Sequence, residues 1–329
     1  MMDEGREGMR ILTNHPGQEQ SPTWKRHSTY LPVARMGYAS SIMSALKLYG
    51  LRNAYDCVVI GAWRSDFVFG LLQGILPFRK APAIMIDCLW YDTGTPIKRH
   101  ARRLFMKIMD RGIDRYCVWA TREIEAYSRA FGLPPEKFVF VPYHTTINGI
   151  PLETCEGDYL FSGGNFQRDY STLLKAVREL PVRLEIGCTR KDLFEDIEIP
   201  RNVRIRGYSH KDYLKMMAGC RINIVPLDVN HLHSGGQQTI LNSMWLGKPT
   251  IVTDPEGARD YITHGEDGLL VAPGNPHELA DTIQTLLQDP QRARDMGLKA
   301  RNRVIGRYST EAHFREIVVL AGEVAAHAR

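Results

Sequence analysis

Short apolar or β-branched runs recur along the whole chain with helix-period segments between them, and this alternation constrains the fold more than any other feature. In the first half the runs are residues 10–13, 56–60, 83–86, 116–119 and 137–141; in the second they are 159–161, 182–186, 203–206, 222–226, 250–253 and 269–271. Runs of that length, each followed by a helical pattern, read as strands of a parallel sheet covered by helices on both faces, which predicts an α/β chain.

A length of 329 residues suits two domains rather than one. The stretch 148–158, with Gly149, Pro151 and Gly157, interrupts the alternation and reads as the linker. The expected division is residues 1–150, residues 151–307 and a last helical segment, 308–329. The starts of two helices are marked by Asn275-Pro276-His277-Glu278 and Asp289-Pro290, each a capping residue before proline.

Cys57, Cys88, Cys117, Cys155, Cys188 and Cys220 stand singly, without a Cys-x-x-Cys pair, so neither a zinc site nor a disulfide framework is expected. No apolar run is long enough to span a bilayer. The opening MMDEGREGMRIL is acidic and lacks the pattern of a secretory signal, so the expected location is the cytosol.

Two loops of the second half carry adjacent glycines between a strand and a helix. In "YLFSGGNFQRDYSTLLKAV", Gly163 and Gly164 precede Arg168; in "HSGGQQTILNSMWLGKPTIVTD", Ser234, Gly235, Gly236, Gln237 and Thr239 lead into a helix running to about Leu246. Glycines permit close backbone approach, a helix start presents unpaired N–H groups, and Arg168 offers a forked cation, a set that suits a diphosphate. Each glycine pair alone also fits a tight turn without ligand. Neither loop has the Gly-Lys-Ser/Thr of a Walker A sequence or the Gly-x-Gly-x-x-Gly spacing of a dinucleotide fingerprint.

The stretch "ILNSMWLGKPTIVTDPEGARDYITHGEDGLLVAPGNPHELADTI" resembles the nucleotide-sugar glycosyltransferases of GT-B fold, especially glycosyltransferase family 4, over residues 158–290. The resemblance implies two Rossmann-like domains with parallel sheets facing across a cleft. The first would bind acceptor and the second donor, and the segment "RYSTEAHFREIVVLAGEVAAHAR" would cross back to the first domain. It places Arg168, Gly163 and Gly164 at the donor diphosphate, with the amides of Gly235, Gly236 and Gln237 beside them and Thr239 in the same loop. The family's two glutamates separated by seven residues fall on Ser234 and Asn242; Asn242 retains the ability to hydrogen-bond a ribose hydroxyl, whereas Ser234 has no carboxylate.

In such an enzyme the catalytic base comes from the first domain. Asp87, after the strand at 83–86, is the candidate, acting on the acceptor hydroxyl in an inverting transfer, with Asp92 a weaker one; Asp87 equally fits a loop cap. Arg168 would stabilise the departing diphosphate, and neither a metal nor a bound cofactor is implied. His231 and His233 read as polar loop residues near the donor, too few for zinc, and His144 reads as structural.

The first half is net basic, and Lys98, Arg99, Arg102, Arg103, Lys107, Arg111 and Arg115 concentrate in 97–115, read as one amphipathic helix with Ile97, Ala101, Leu104, Phe105 and Ile108 on its apolar side. It suits either a core-packed helix with a solvated face or a peripheral helix on the anionic inner face of a membrane. Nucleic acid is not expected, because no matching motif accompanies the charge.

The function expected from the sequence is transfer of a hexose-type sugar from a UDP- or GDP-sugar to a hydroxyl of a glycan, a lipid-linked saccharide or a small molecule. The alternatives are a non-catalytic nucleotide-sugar-binding subunit, and a nucleotide-sugar 2-epimerase or phosphorylase of the same fold.

Overall fold

The computed structural model describes residues 8–33, 37–78, 80–86, 94–228, 231–253 and 255–327. Asp87, Cys88 and Asp92 lie outside the described residues. The chain divides into two compact units, Met1–Pro142 with Thr310–Arg329, and Tyr143–Ser309.

The first unit holds a parallel sheet of β1 (Ile11–Thr13), β2 (Ser28–Tyr30), β3 (Cys57–Ile60), β4 (Ala83–Met85), β5 (Arg115–Val118) and β6 (Phe138–Phe140), in the order β2-β1-β3-β4-β5-β6. All but β2 coincide with apolar runs, and the central strands β3 and β4 are buried throughout. Strand β2 is an edge strand of polar composition and partial exposure, so no hydrophobic pattern announces it.

Helix Thr310–His327 belongs to this unit. Its Phe314, Ile317, Leu320, Ala321 and Val324 close a core with Ile11, Cys57, Val59, Ile84 and Trp24. Phe314 stacks on Trp24 with centroids 4.7 Å apart, and Glu311 accepts hydrogen bonds from the Ser21 hydroxyl (2.5 Å) and the Thr23 hydroxyl. The last helix is thereby pinned at its first turn by both packing and polar contacts.

The helix expected over 97–115 is shorter. It spans Pro96–Met109, a tight turn covers Asp110–Gly112, and Arg115 begins β5, so Arg111 and Arg115 are not on the helix. Lys137 ends the run by pairing with the Asp110 carboxylate (3.0 Å) and donating to Ile113 O (2.7 Å). Its buried side is Met106 and Met109, whereas Ile97, Ala101 and Leu104, read from the sequence as its apolar side, are exposed.

The second unit holds β7 (Tyr159–Gly163), β8 (Arg183–Gly187), β9 (Val203–Arg206), β10 (Ile222–Val225), β11 (Thr250–Val252) and β12 (Leu269–Leu270), parallel throughout in the order β12-β11-β10-β7-β8-β9. The chain leaves β7 toward β8 and β9, then returns to the other side of β7 to lay down β10, β11 and β12. The order therefore reverses between β7 and β10, the place beyond whose carboxyl ends ligands bind in open α/β sheets.

Residues 143–147 already pack in this unit, which sets its boundary ahead of position 150. Tyr143 N donates to the Tyr261 hydroxyl (2.9 Å) and Thr145 N to Tyr308 O (2.9 Å). His144 is buried with its Nδ1 at 2.8 Å from Thr145 O, a structural placement. Lys248, in the Gly-Lys-Pro turn, is also buried and donates to Cys155 O (2.6 Å) and Cys220 O (3.0 Å); burial lowers its pKa. Cys57, Cys117, Cys188 and Cys220 are buried free thiols and Cys155 an exposed one; burial pushes Cys220 up to about 12.

Candidate functional site

The loops after β7 and β10 are laced together at the point where the sheet order reverses. Asp169 N donates to Pro226 O (2.9 Å), Asp228 N to Gln167 O (3.1 Å), and Arg168 pairs with Leu227 in an isolated antiparallel bridge. Gln167 adopts a left-handed φ of 51° and sends its amide across to His233 O at 2.8 Å. A non-glycine residue in that region is held there by its surroundings, here by contacts with both loops.

Arg168 is half-buried between the loops. Its Nε donates to Gly163 O (3.0 Å), Nη1 to Phe166 O (2.9 Å) and Gln167 O (3.4 Å), and Nη2 to the Thr239 hydroxyl (3.1 Å). These four bonds occupy most of the five guanidinium N–H groups. The fork expected to grip a diphosphate is thus turned largely onto the chain itself. What Arg168 still offers to an anion is its charge, fixed beside the first turn of the helix that carries Thr239.

Gly164, at φ +132°, makes this possible: a Cβ there would lie 2.6 Å from the Arg168 guanidinium. Gly235 plays the matching part in the second loop, where a Cβ would meet Gln167 Oε1 at 1.9 Å. Gly163 likewise leaves room for the Tyr213 ring.

The two helix starts differ. Helix Tyr170–Val177 is capped by Asp169, whose carboxylate accepts from Thr172 N (2.9 Å), so its first amides already face an anion. Helices His210–Gly219, Pro276–Gln288 and Pro290–Arg307 are capped in the same way by Ser209, Asn275 and Asp289. Helix Gln237–Trp245 opens on Gly236 at φ 88° with no side-chain cap. Its first-turn N–H groups and positive dipole end therefore face no capping side chain of the protein, an arrangement that suits an anion.

The side chains around that start are engaged with the protein. Ser234 and Gln237 are buried, and Gln237 donates to Ser234 O (2.6 Å). Asn242 is 3% exposed; its Oδ1 accepts from the Thr145 hydroxyl and Thr146 N, each at 2.9 Å, and its Nδ2 donates to the Thr146 hydroxyl at 3.0 Å. The amide expected near a ribose therefore holds segment 145–146 against the helix. His231 lies 3.5 Å from the Asp228 carboxylate and His233 is buried.

Sequence reasoning missed Gln167, Asn165 and Thr145–Thr146. Asn165 supports the first loop by accepting from Thr189 N at 2.9 Å. No local pattern marks these residues, since their partners are distant in sequence. Among the described residues no group of His, Cys, Asp or Glu is placed to hold a metal ion.

Residues 167–303 match the family described as glycosyl transferases group 1. The 2-deoxystreptamine N-acetyl-D-glucosaminyltransferase of Niallia circulans is 23% identical over 306 residues, covering 82% of this chain and 77% of that protein. The poly(ribitol-phosphate) alpha-N-acetylglucosaminyltransferase of Staphylococcus aureus (strain COL) is 26% identical over 121 residues, 36% of this chain and 24% of that protein. The chain spans only 17% to 48% of the length of three of the curated relatives it matches.

Among solved structures, Anabaena Alr3699/HepE in complex with UDP superimposes with a TM-score of 0.72 at 14% identity, covering 96% of this chain and all (100%) of that one. The chain thus has two parallel six-stranded sheets flanked by helices, the GT-B fold shared with that structure, and over residues 167–303 it is similar to the group 1 glycosyltransferases.

Proposed function

We propose that the chain transfers a hexose-type sugar from a UDP-sugar to a hydroxyl of a glycan, a lipid-linked saccharide or a small molecule. The observation that carries this reading is the uncapped start of helix Gln237–Trp245, set at the reversal between β7 and β10 beside the fixed charge of Arg168. A diphosphate there meets backbone N–H groups of Gly236, Gln237 and following residues, and a cation at its flank. As the sugar leaves, negative charge grows on the diphosphate, and dipoles already oriented toward it stabilise that charge without reorganising. The donor base is read as uracil because a structural relative is a UDP complex and relatives transfer N-acetylglucosamine.

A second reading, nucleotide-sugar binding without transfer, is favoured by one observation: the amide of Asn242 is committed to Thr145 and Thr146 rather than to a ligand. Isothermal titration with UDP and GDP, together with turnover of their sugar conjugates, separates the readings. Transfer predicts UDP binding and acceptor-dependent UDP release, both weakened in Arg168→Ala. Binding with no release across a broad acceptor set would establish the second reading. Conversion of donor without acceptor would indicate epimerase chemistry, and a requirement for free phosphate would indicate phosphorolysis. No binding of either nucleotide would overturn both primary readings.

A further inference from the structure

In the first unit, helices Tyr38–Leu51, Arg64–Ile75 and Pro96–Met109 pack side by side in that order. The outer side of such a layer in a water-soluble domain is ordinarily polar. Here the first helix exposes Tyr38 (75%), Ile42 (48%), Met43 (56%) and Leu46 (47%), and the third exposes Ile97 (84%) and Leu104 (59%). Between them, Ile75 and Phe78 are exposed at the end of the second. The third helix also carries Lys98, Arg99, Arg102, Arg103 and Lys107. Across the three helices Asp66 is the sole acidic residue, and it is fully buried.

We propose that this layer docks the protein on an anionic phospholipid bilayer, with the apolar side chains of helix Tyr38–Leu51 entering the boundary between headgroups and acyl chains and the cations of helix Pro96–Met109 meeting lipid phosphates. Large apolar side chains beside cations, with no exposed carboxylate on the same helices, match the two properties such a surface presents. A hollow of about 410 Å³ lined by Arg99, His100, Arg103 and Arg129 adds a place for a phosphate headgroup, and Arg103 is held at its rim by a bond to Arg129 O (3.2 Å). A second copy of the chain meeting this layer through itself would oppose cation to cation. No helix among the described residues is long and apolar enough to cross a membrane, so the contact is lateral. The inference is independent of sugar transfer.

The test is co-sedimentation of the full chain with vesicles of phosphatidylcholine alone or mixed with phosphatidylglycerol. Binding is expected on the anionic vesicles only, reduced about 100-fold in Lys98→Ala/Arg99→Ala/Lys107→Ala, from about a fivefold loss per surface cation. Ile42→Glu/Leu46→Glu, at exposed positions, should retain the wild-type melting curve yet lose at least about tenfold in binding, as charge is placed at an apolar boundary. Equal partition of the wild type onto both vesicle types would overturn the proposal, as would a folded Ile42→Glu/Leu46→Glu protein that binds like the wild type. Sedimentation velocity gives the remaining outcome: a wild-type dimer made monomeric by that variant, with no vesicle binding, would assign the face to a second copy instead.

Discussion

Replacing Asn242 by alanine tests whether its amide serves the fold or the ligand. In the structure the side chain is 3% exposed and makes bonds of 2.9, 2.9 and 3.0 Å to Thr145 and Thr146. Truncation removes both an acceptor and a donor. The two threonine hydroxyls can rotate toward other partners, but the Thr146 N–H is fixed and loses its acceptor. At about 1 kcal/mol for each net hydrogen bond, with a somewhat larger cost for a donor left unpaired, the loss is about 3 kcal/mol. For a domain of this size about 2–4 °C accompanies each kcal/mol, so the melting temperature of the second unit should fall by about 6–12 °C. Differential scanning calorimetry measures this directly. Titration with UDP well below the transition should show affinity within about twofold of wild type, since the helix start at Gly236 is left in place. A melting temperature within about 2 °C of wild type, coupled to a tenfold loss of UDP affinity, would refute the structural assignment and return the amide to the ribose.

Gly164→Ala should displace the Arg168 guanidinium, which lies 2.6 Å from the added Cβ, and lower UDP-sugar affinity at least about tenfold by titration; Gly149→Ala, at φ +81° with open space around it, should cost about 1 kcal/mol of strain and leave affinity unchanged. Trp24→Ala removes the ring stacked on Phe314 and should lower the stability of the first unit by about 3–5 kcal/mol in urea denaturation, and removal of residues 310–327 should abolish its cooperative transition; retention of that transition would refute the assignment of the last helix to this core. Burial raises the Glu311 pKa, but hydrogen bonds from Ser21 and Thr23 and the charge of Arg315 outweigh it, so the folded value is lowered from 4.5. The stability this confers is complete above the unfolded pKa and is lost as pH falls through the folded one. Urea midpoints of Glu311→Gln should accordingly lie below wild type at pH 7 and converge with it in acid.

Much of the fold was legible because its strands are short and buried on both faces, which leaves a continuous apolar run such as Cys57–Ile60 or Ile222–Val225. Strand β2 escaped because Ser28, Thr29 and Tyr30 sit at an edge where no face demands apolar side chains. The helix at Pro96–Met109 shows another limit. Its sequence alternates cations and apolar residues with helical period, and that pattern gives an amphipathic helix without saying which apolar residues find a core. Met106 and Met109 do, whereas Ile97 and Leu104 do not. The helix also ends earlier than its charge pattern, because Lys137, from a neighbouring strand's approach, binds Asp110 and Ile113.

The candidate site was legible in position but not in division of labour. Two glycine pairs before two helices look equivalent in sequence, and the difference between them is one residue: Asp169 caps the first helix, while Gly236 caps nothing at the second. The glycines themselves do not vacate space for a ligand. The volume beside Gly163 is filled by Tyr213, beside Gly164 by Arg168, and beside Gly235 by Gln167, so each missing Cβ lets one part of the protein approach another. Glycine-rich sequence therefore reports how closely the β7 and β10 loops dock, and the capacity to hold an anion follows from what that docking leaves uncovered. By packing Arg168 against the first loop and bonding it to Thr239 in the first turn of the second helix, the fold sets a permanent positive charge beside uncapped amides. An anion entering there meets donors and charge held in place by contacts that exist without it, which is the condition for stabilising a leaving diphosphate rather than merely binding one.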